Sequence, residues 1–327
     1  MTSKDLTQLV GWTSPWASYR AVVIGLGQVG FAIADTACEL GVDTLVVAEE
    51  ADSDVVNITE VLGVPTVVGG PVSDRVEAAL AHTPDFVVVS PGVTPEDAVL
   101  VALKDAGYPV WSDLDFAWRV RDKTKTIADW VVVRGAEVAD LATRLLQAEG
   151  RSAHRVGFLG PPLLDALRDP HPYDTLIIGV NPLSTRLWER FPEAARRPLL
   201  TVAVEAEASD ETGVFFDGTT LACVYRKGVG SSEAQVHDAD VVEGARAIGI
   251  GLDSPGMSDL GLVEGILCDR AFLEDRQNQA LEVSTIEELQ EAGWAIPDDL
   301  PTILGAVAVA RALDVPPAVI AGVLTLP

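Results

Sequence analysis

Basic residues are scarce in this sequence. Lysine and arginine together number 23 against 49 aspartates and glutamates, which gives a formal net charge of −26 at pH 7. A surface of this charge repels the phosphate backbone of nucleic acids and anionic lipid headgroups. We therefore expect no nucleic-acid partner. Any phosphate-binding site must be built from local donors, because the lysines are few and scattered: Lys4, Lys104, Lys123, Lys125 and Lys227.

Membrane, secretion and metal signals are also lacking. No apolar run approaches the 18 or so residues that a spanning helix needs. Residues 1–12 lack the basic segment and apolar core of a secretory signal. The 3 cysteines and 4 histidines do not have metal-ligand spacing, and an odd number of unclustered cysteines fits a reducing compartment. We expect a cytoplasmic protein with no membrane span, no metal site, and Cys38, Cys223 and Cys268 as small buried hydrophobic side chains.

The pattern along the chain predicts an α/β fold. The length of 327 residues, with 48% hydrophobic and 22% charged residues, suits two globular domains. In the first 120 residues, short apolar runs alternate with amphipathic stretches, which favours a parallel sheet with helices on both faces. A polar break at residues 121–126 predicts a boundary between a Rossmann-like domain (1–122) and a second domain (127–327). The elements expected in the first domain are strands 21–27, 44–50 and 85–92, helices 29–40 and 95–106, and a short strand and helix within 108–119.

The second domain opens with another strand, glycine turn and helix, at 129–150. A buried strand is expected at 172–182. The region 199–283 is richer in turns, including FFDGTT and EGILCDR, and predicts hairpins at the sheet edge. Helices at 303–315 and 316–326 are expected to close the chain, the second of them started by proline.

One glycine pattern carries a chemical signal. Gly25, Gly27 and Gly30 form G-x-G-x-x-G directly after a strand and at a helix start. In this context the glycines allow a tight turn, close approach of a phosphate and close helix–strand packing. Glu49 and Glu50 end the next strand, where an acid can accept a hydrogen bond from a ribose or a base. The pattern predicts a nucleotide-type anion, and the alternative is a turn kept only for packing.

These blocks resemble a known family. GLGQVG, a strand ending in acids, VVVSPGVTP and YPVWSDLDFAWR occur in the order found in the N-terminal domain of Mur ligases of the MurD type, which act in peptidoglycan synthesis. The resemblance implies a UDP-binding domain. Val29 departs from it, replacing a small hydroxyl residue of the family turn. The residues expected to face the diphosphate are Gly25, Leu26, Gly27, Gln28, Val29 and Gly30, and those expected near the uracil are Glu49, Glu50, Ser90, Pro91 and Gly92.

The resemblance continues into the second domain but fails at its chemistry. GFLGPPLLD and ILGAVAVARALDVPPAVIAGVL resemble the Mur-ligase central domain, which implies a P-loop-like topology. In the family this loop ends in Gly-Lys-Thr or Gly-Lys-Ser, where the lysine reaches the phosphates and the hydroxyl holds magnesium. Here Ala139 and Asp140 stand at those two positions. We therefore expect a degenerate loop and no ATP or magnesium cofactor; the loop residues are Gly135, Glu137, Val138, Ala139 and Asp140.

Further family positions are altered. Gly179 aligns with a magnesium-binding glutamate and Phe158 with an asparagine. No histidine or lysine occurs between residues 201 and 224, where the family has both. The His-Asn motif of the late helix appears as Asp298, Asp299 and Thr302. The third domain of the family would begin where this sequence ends, so we expect a two-domain pseudoenzyme with no catalytic residue.

Other positions have simpler interpretations. GVGSSE (228–233), beside Arg226 and Lys227, has the composition of a small anion nest, but we expect an ordinary turn. Trp111 and Trp118 are expected to pack in the core or an interface.

Three functions follow from the sequence. The first is a MurD-like protein of bacterial peptidoglycan synthesis that lacks ligase activity, binds a UDP-N-acetylmuramoyl ligand and acts with a cell-wall enzyme partner. The second is an ATP-dependent UDP-N-acetylmuramoylalanine--D-glutamate ligase, acting alone or with a chain that supplies the missing groups. The third is a Rossmann protein that binds a nicotinamide nucleotide.

Overall fold

The computed structural model describes residues 4–124, 127–180, 199–206 and 215–326. The chain forms two compact units. The first contains the chain up to Ile127 together with 161–172, and the second contains the remaining described segments. The sequence suggested one boundary at 122–127. The structure instead places 161–172 with the first unit, although this segment lies well inside the expected second domain.

The first unit is built on a parallel sheet with strand order β3-β2-β1-β4-β5. Continuous apolar runs form the central strands, as expected where helices cover both faces of a sheet. Val22 and Val87, for example, are completely buried. The parallel sheet expected from the sequence is therefore confirmed. Its strands are β1 (Arg20–Ile24), β2 (Asp43–Ala48), β3 (Thr66–Val68), β4 (Phe86–Val89) and β5 (Val110–Ser112).

Six α-helices are described in the first unit. Five of them follow the five strands and therefore begin at the carboxyl edge of the sheet. The sixth, α7, comes from the segment 161–172 and packs on α1 and α5. They are α1 (Gln28–Glu39), α2 (Ser53–Val61), α3 (Val72–Ala81), α4 (Ala98–Asp105), α5 (Asp113–Val120) and α7 (Leu163–Arg168).

The second unit contains a larger mixed sheet. Its strand order is β14-β13-β12-β11-β10-β9-β6-β8-β7. Strands from β7 through β12 along this order are parallel, and β13 and β14 continue antiparallel at one edge. The strands are β6 (Asp129–Arg134), β7 (Ala153–Gly157), β8 (Thr175–Gly179), β9 (Leu200–Glu205), β10 (Thr219–Arg226), β11 (Arg246–Ile250), β12 (Asp259–Val263), β13 (Ile266–Asp269) and β14 (Leu281–Thr285).

The expectation of hairpins throughout 199–283 is only partly right. The β12–β13 hairpin forms at EGILCDR, with Glu264 and Gly265 both at positive φ, as a two-residue hairpin turn requires. By contrast, β9 lies beside β6 in the interior of the sheet, and β10 and β11 are parallel to it. Each of these strands is paired with a neighbour on both sides, so they lie in the interior of the sheet and not at its edge.

The helices of the second unit bury its core. α10 is apolar on nearly every side and packs against α6, as an almost fully buried helix must. The helices are α6 (Ala136–Ala148), α8 (Gly230–Asp238), α9 (Ile286–Glu291), α10 (Leu300–Ala312) and α11 (Pro317–Leu324). Among the helices that the structure describes, none is long and apolar enough to cross a membrane.

Candidate functional site

A cleft of about 890 Å³ opens at the carboxyl edge of the first sheet. It lies where β1, β2 and β4 end, which is the usual ligand position in open α/β sheets. Most of the residues singled out from the sequence meet here, although they come from three separate stretches of chain. Val29 and Gly30 do not line the cleft, and Gly30 instead packs against the backbone of Gly25. The predicted residues that line it are Gly25, Leu26, Gly27, Gln28, Glu49, Glu50, Ser90, Pro91 and Gly92.

Helix α1 begins at this cleft without a side-chain cap. The first hydrogen bond of its backbone runs from the N–H of Phe31 to the carbonyl of Gly27. The N–H groups of residues 28–30 therefore have no acceptor among the described residues. The other two helices that begin at the cleft differ, because Asp52 caps α2 and Asp97 caps α4. The start of α1 is thus the one of the three at which no carboxylate caps the N–H groups or offsets the positive helix end.

The three glycines have different structural requirements. Gly25 has φ +93°, and a Cβ there would lie 3.0 Å from Ser90 Cβ. A Cβ on Gly30 would lie 2.2 Å from the carbonyl oxygen of Gly25, so helix and strand could not approach as they do. Gly27 has φ −82°, and a Cβ there would meet nothing within 4 Å. Packing therefore explains Gly25 and Gly30 but not Gly27, which lines the open cleft.

The polar side chains of the cleft are the Gln28 amide, the hydroxyls of Ser90 and Thr94, and four carboxylates. Ser90 is only 4% exposed, and its Oγ has no hydrogen bond with any described residue. Two of the carboxylates, Glu49 and Glu50, are exposed just after β2 and have no ion pair in the described chain. The other two, Asp52 and Asp97, are each engaged as a helix cap. None of the described lining residues is basic, so backbone N–H groups and these neutral side chains are the donors available to an anion.

The turn between β6 and α6 differs from a phosphate-binding loop. β6 ends at Arg134 and α6 begins at Ala136, so Gly135 alone connects them, with φ +128°. A P-loop needs several residues between strand and helix so that backbone N–H groups can surround the phosphates. Val138, at the position of the last family glycine, is helical and 1% exposed.

The two positions that would act on a triphosphate are committed to other contacts. Ala139 is fully buried in the core of the second unit, so its side chain does not face a ligand. Asp140 forms an ion pair with Arg155 of β7, with 2.9 Å between Oδ1 and Nε. Glu137 adds a negative charge in the first turn of α6. The residues at this turn do not fit a triphosphate with its magnesium.

A buried ion pair lies beside this turn and was missed from the sequence. Arg134 and Glu205 end the neighbouring strands β6 and β9, with 2.8 Å between Nη1 and Oε1. Glu205 is 0% exposed, and its Oε2 accepts no hydrogen bond. The guanidinium of Arg134 also stacks on Phe215, 4.3 Å from the ring centroid, and lies 3.5 Å from Gln235 Oε1. No local sequence pattern indicates this ion pair, because its two members are 71 residues apart.

The position of the family's magnesium-binding glutamate is closed by backbone packing. A Cβ on Gly179 would lie 2.9 Å from the carbonyl oxygen of Phe158. Its neighbour Gly157, at φ +88°, approaches Gly179 more closely still, because a Cβ there would lie 2.3 Å from the Gly179 oxygen. A side chain cannot be placed at either glycine without movement of the backbone.

The remaining sequence candidates have structural roles in the described chain. Asp299 Oδ2 accepts the N–H of Ala295. Trp111 is buried and stacks on Phe86, as expected for a core residue. GVGSSE was expected to be a turn, but it continues into α8 from Gly230, with the carboxylate of Glu233 accepting the Gly228 N–H. Part of the region between 201 and 224, namely 207–214, lies outside the described residues. No described residues form a cluster of three or more His, Cys, Asp or Glu that could hold a metal.

Two of the cysteines are buried, as expected, but the third is not. Burial raises the pKa of the Cys223 thiol to about 11. Cys38 is only partly buried, and its Sγ donates to the carbonyl of Leu62. It lies near the exposed end of α1, where the helix face turns away from the sheet.

Known proteins resemble this chain over nearly its full length. A UDP-N-acetylmuramoylalanine--D-glutamate ligase of Leifsonia xyli is 38% identical, covering 99% of this chain and 68% of that protein. The ligase of the same name from Tropheryma whipplei is 31% identical, covering 94% of this chain and 66% of its own length. Among solved structures, a murein peptide ligase from Psychrobacter arcticus gives a TM-score of 0.48 at 13% identity, covering 94% of this chain and 68% of that one. No protein-family model matches. The chain spans about two thirds of the length of these curated relatives.

One expectation is contradicted by these relatives. We expected no ATP or magnesium cofactor, but the ligases that the chain resembles are enzymes that use ATP and magnesium. The expectation came from the altered residues at 134–140 and from the further altered family positions, among them Phe158, Gly179 and Asp299, and it was extended wrongly from these positions to the whole protein. The turn at Gly135 offers no residue that would hold ATP or magnesium there.

Proposed function

Because this chain belongs to the family of UDP-N-acetylmuramoylalanine--D-glutamate ligases, we propose that it acts in peptidoglycan synthesis by binding a UDP-sugar in the cleft of its first unit. The diphosphate would lie at the start of α1, over Gly27. The uracil and ribose would lie between the end of β2 and the turn Ser90–Gly92. The proposed ligand is of the UDP-N-acetylmuramoyl class, which is the class in the names of the relatives.

The uncapped start of α1 is the observation that carries this proposal. A helix N-terminus with free N–H groups is a ready anion site, and it opens into a cleft large enough for a nucleotide. Asp52 and Asp97 cap the two other helices that begin at the cleft, so α1 is the one helix of these three without a side-chain cap. The open space at Gly27 and the unbonded Ser90 Oγ provide the room and a further donor for a phosphate.

The carboxylates of the cleft favour one orientation of the ligand. Glu49 and Glu50 end β2, where an acid accepts hydrogen bonds from ribose hydroxyls or a base. They would repel a diphosphate placed beside them. The diphosphate therefore belongs at α1 and the nucleoside at β2.

We also propose that the chain by itself does not form the amide bond. The turn at Gly135 is too short to surround a phosphate. The side chain of Ala139 is buried, so this position cannot contact a phosphate as the family lysine does. Asp140 is held by Arg155 and not positioned for a metal. The role left to the chain is binding, alongside an enzyme of cell-wall synthesis as its partner.

Calorimetry with UDP-N-acetylmuramoyl-L-alanine tests the binding site. We expect saturable binding that weakens about tenfold in Gly27→Ala, whose methyl group would occupy the phosphate position. NADH is the competing ligand of the nicotinamide alternative, and it should not displace the UDP-sugar. Binding of NADH in preference to the UDP-sugar would replace the proposal by that alternative, and binding of neither would overturn it.

The names of the relatives favour a second candidate, an active ligase. In that case the groups that act on ATP would come from elsewhere in the protein or from a partner chain. A phosphate-release assay with ATP, magnesium, D-glutamate and the UDP-sugar separates the two functions. Turnover by the chain alone would contradict the proposed loss of activity, whereas turnover only with a partner would assign the chemistry to the assembly.

A further inference from the structure

A second cleft, of about 510 Å³, lies in the second unit. It opens where β10 and β11 end, so it too lies at the carboxyl edge of a sheet, where α/β proteins bind ligands. Its walls come from the turn after β10, the residues after β11 and the first turn of α10. The sequence had singled out this turn, at Arg226, Lys227 and GVGSSE, but the proposed function of the first unit makes no use of it.

The side chain of Arg226 is available to a ligand. It lines the cleft and is half-buried, and it has no hydrogen bond, ion pair or ring contact with any described residue. Among the arginines in the described ranges, only Arg144 also has a side chain without such a contact, and Arg144 is exposed on α6. An unpaired guanidinium in a cleft is unusual in a chain with 49 acidic residues, because a carboxylate is rarely far away.

The neighbouring cation is engaged by acids of the protein. Lys227 Nζ lies 3.0 Å from Asp259 Oδ2 and 3.3 Å from Asp253 Oδ1. Burial opposes the charged form of Lys227, but the hydrogen bonds and charges of Asp259 and Asp253 outweigh it and raise the pKa. The stem of Lys227 lies against Gly249 and Gly251, where a Cβ would come within about 3.4 Å of it. Lys227 is thus engaged by Asp253 and Asp259, whereas the side chain of Arg226 has no ion pair with any described residue.

The cleft also has apolar lining residues. Leu252 is 50% exposed and Pro301 is partly exposed, whereas Ile250 and Leu304 also line the cleft but are almost fully buried. Small-molecule sites commonly combine apolar walls with a few polar groups that fix the orientation of the ligand. A guanidinium binds phosphate and carboxylate through paired N–H donors.

We propose that this cleft binds a small oxyanion carrying an apolar ring, with the anionic group on Arg226 and the ring against Leu252 and Pro301. The volume is suited to a ligand of mononucleotide size or smaller. Phosphate monoesters and carboxylates share the chemistry that Arg226 recognises. The site is separate from the UDP-sugar cleft, since all of its residues belong to the second unit.

Calorimetry with phenyl phosphate and benzoate tests the proposal on the full chain. We expect binding of at least one of them. Inorganic phosphate, which lacks the ring, and phenol, which lacks the anionic group, should each bind at least tenfold more weakly. Arg226→Gln should weaken binding by about tenfold to a hundredfold, as expected on removing a charge-assisted hydrogen bond. The matched control is Arg144→Gln, which removes an unpaired arginine outside the cleft and should leave affinity unchanged.

The outcomes separate this site from the first cleft. Arg226→Gln should keep its affinity for UDP-N-acetylmuramoyl-L-alanine and its unfolding midpoint, so loss of either would show a general defect. Leu252→Ala, at an exposed side chain of the cleft, then serves as the second variant and should weaken binding of the ring-bearing probes. Phenyl phosphate and benzoate distinguish a phosphate from a carboxylate ligand. Equal binding to the Arg226→Gln and unaltered proteins, or no binding of either probe at millimolar concentration, would overturn the proposal.

Discussion

Gly30 lies so close to Gly25 that a Cβ on Gly30 would be 2.2 Å from the Gly25 carbonyl oxygen. Gly30→Ala must therefore separate α1 from β1, and we expect it to lower the free energy of unfolding by about 1–3 kcal/mol or more, as overpacking does. Urea denaturation measures this change. Gly27→Ala is the matched control, since a methyl group there meets open space.

The control makes its own prediction. Gly27→Ala should change the free energy of unfolding by less than about 1 kcal/mol, because the loss of glycine at an N-cap is partly offset by reduced freedom of the unfolded chain. The affinity for the UDP-sugar should nevertheless fall. If both variants were equally destabilised, Gly27 would be a packing residue and the argument for a ligand at this turn would lose its support.

The Arg134–Glu205 pair should behave as a coupled unit. Removing one partner leaves a buried charge without compensation, so Arg134→Met or Glu205→Gln should each cost about 3–5 kcal/mol. The double variant Arg134→Met/Glu205→Gln should cost clearly less than the sum of the two. Strictly additive changes in a double-mutant cycle, measured by urea denaturation, would mean that the two side chains do not stabilise each other.

Asp113 makes the stability depend on pH. Burial, with a smaller effect from the charge of Asp115, raises the pKa of Asp113 from 3.8 to about 7. The folded pKa lies above the unfolded one, so the stabilising effect of the protonated form is complete below about pH 4 and is lost as pH rises through 7. Asp113→Asn should therefore be more stable than the unaltered protein at pH 8, by about 1–3 kcal/mol. Urea midpoints at pH 5 and pH 8 measure this difference, and a gap that stays constant with pH would contradict it.

Asp97 is expected to support the cleft by capping α4. Its Oδ1 accepts the N–H groups of Val99 and Leu100. Asp97→Ala should lower the free energy of unfolding by about 0.5–2 kcal/mol, the usual effect of losing an N-cap. Asp97→Asn, which keeps an acceptor at the same place, should restore most of it, as thermal unfolding would show. Failure of asparagine to restore stability would mean that the charge of Asp97 matters more than its hydrogen bonds.

Elements with strong apolar runs and clear boundaries were predictable from the sequence. The helix expected at 29–40 is α1 at 28–39, because a glycine turn precedes it and its apolar spacing is regular. The helix expected at 316–326 is α11 at 317–324, which begins at a proline. The cleft residues were found because the carboxyl ends of parallel strands meet at one edge, so segments distant in sequence could be placed together.

Other features depend on tertiary contacts that leave no local pattern. Residues 53–81, which form α2, β3 and α3, were not assigned, and α2 has one buried residue, Thr59, so its apolar pattern is weak. Phe31 lies in the first turns of α1, where it lines the cleft and is only partly buried, and no pattern in the sequence indicates this position. The unpaired state of Arg226 depends on which acids reach Lys227, and this follows only from the folded arrangement of β10 and β11.

Helix α7 has a consequence for any attempt to divide the protein. It lies in the chain between β7 and β8 of the second sheet, yet it packs on α1 and α5, and Arg168 joins it to Asp35 at 2.5 Å. The polypeptide therefore leaves the second unit after Gly160 and returns to it at Tyr173. A fragment ending at 127 would expose to water the sides of α1 and α5 that α7 covers. It would also lack Arg168, whose positive charge pairs with Asp35. The two units are thus threaded together by the chain itself, and neither can be produced whole by a single cut.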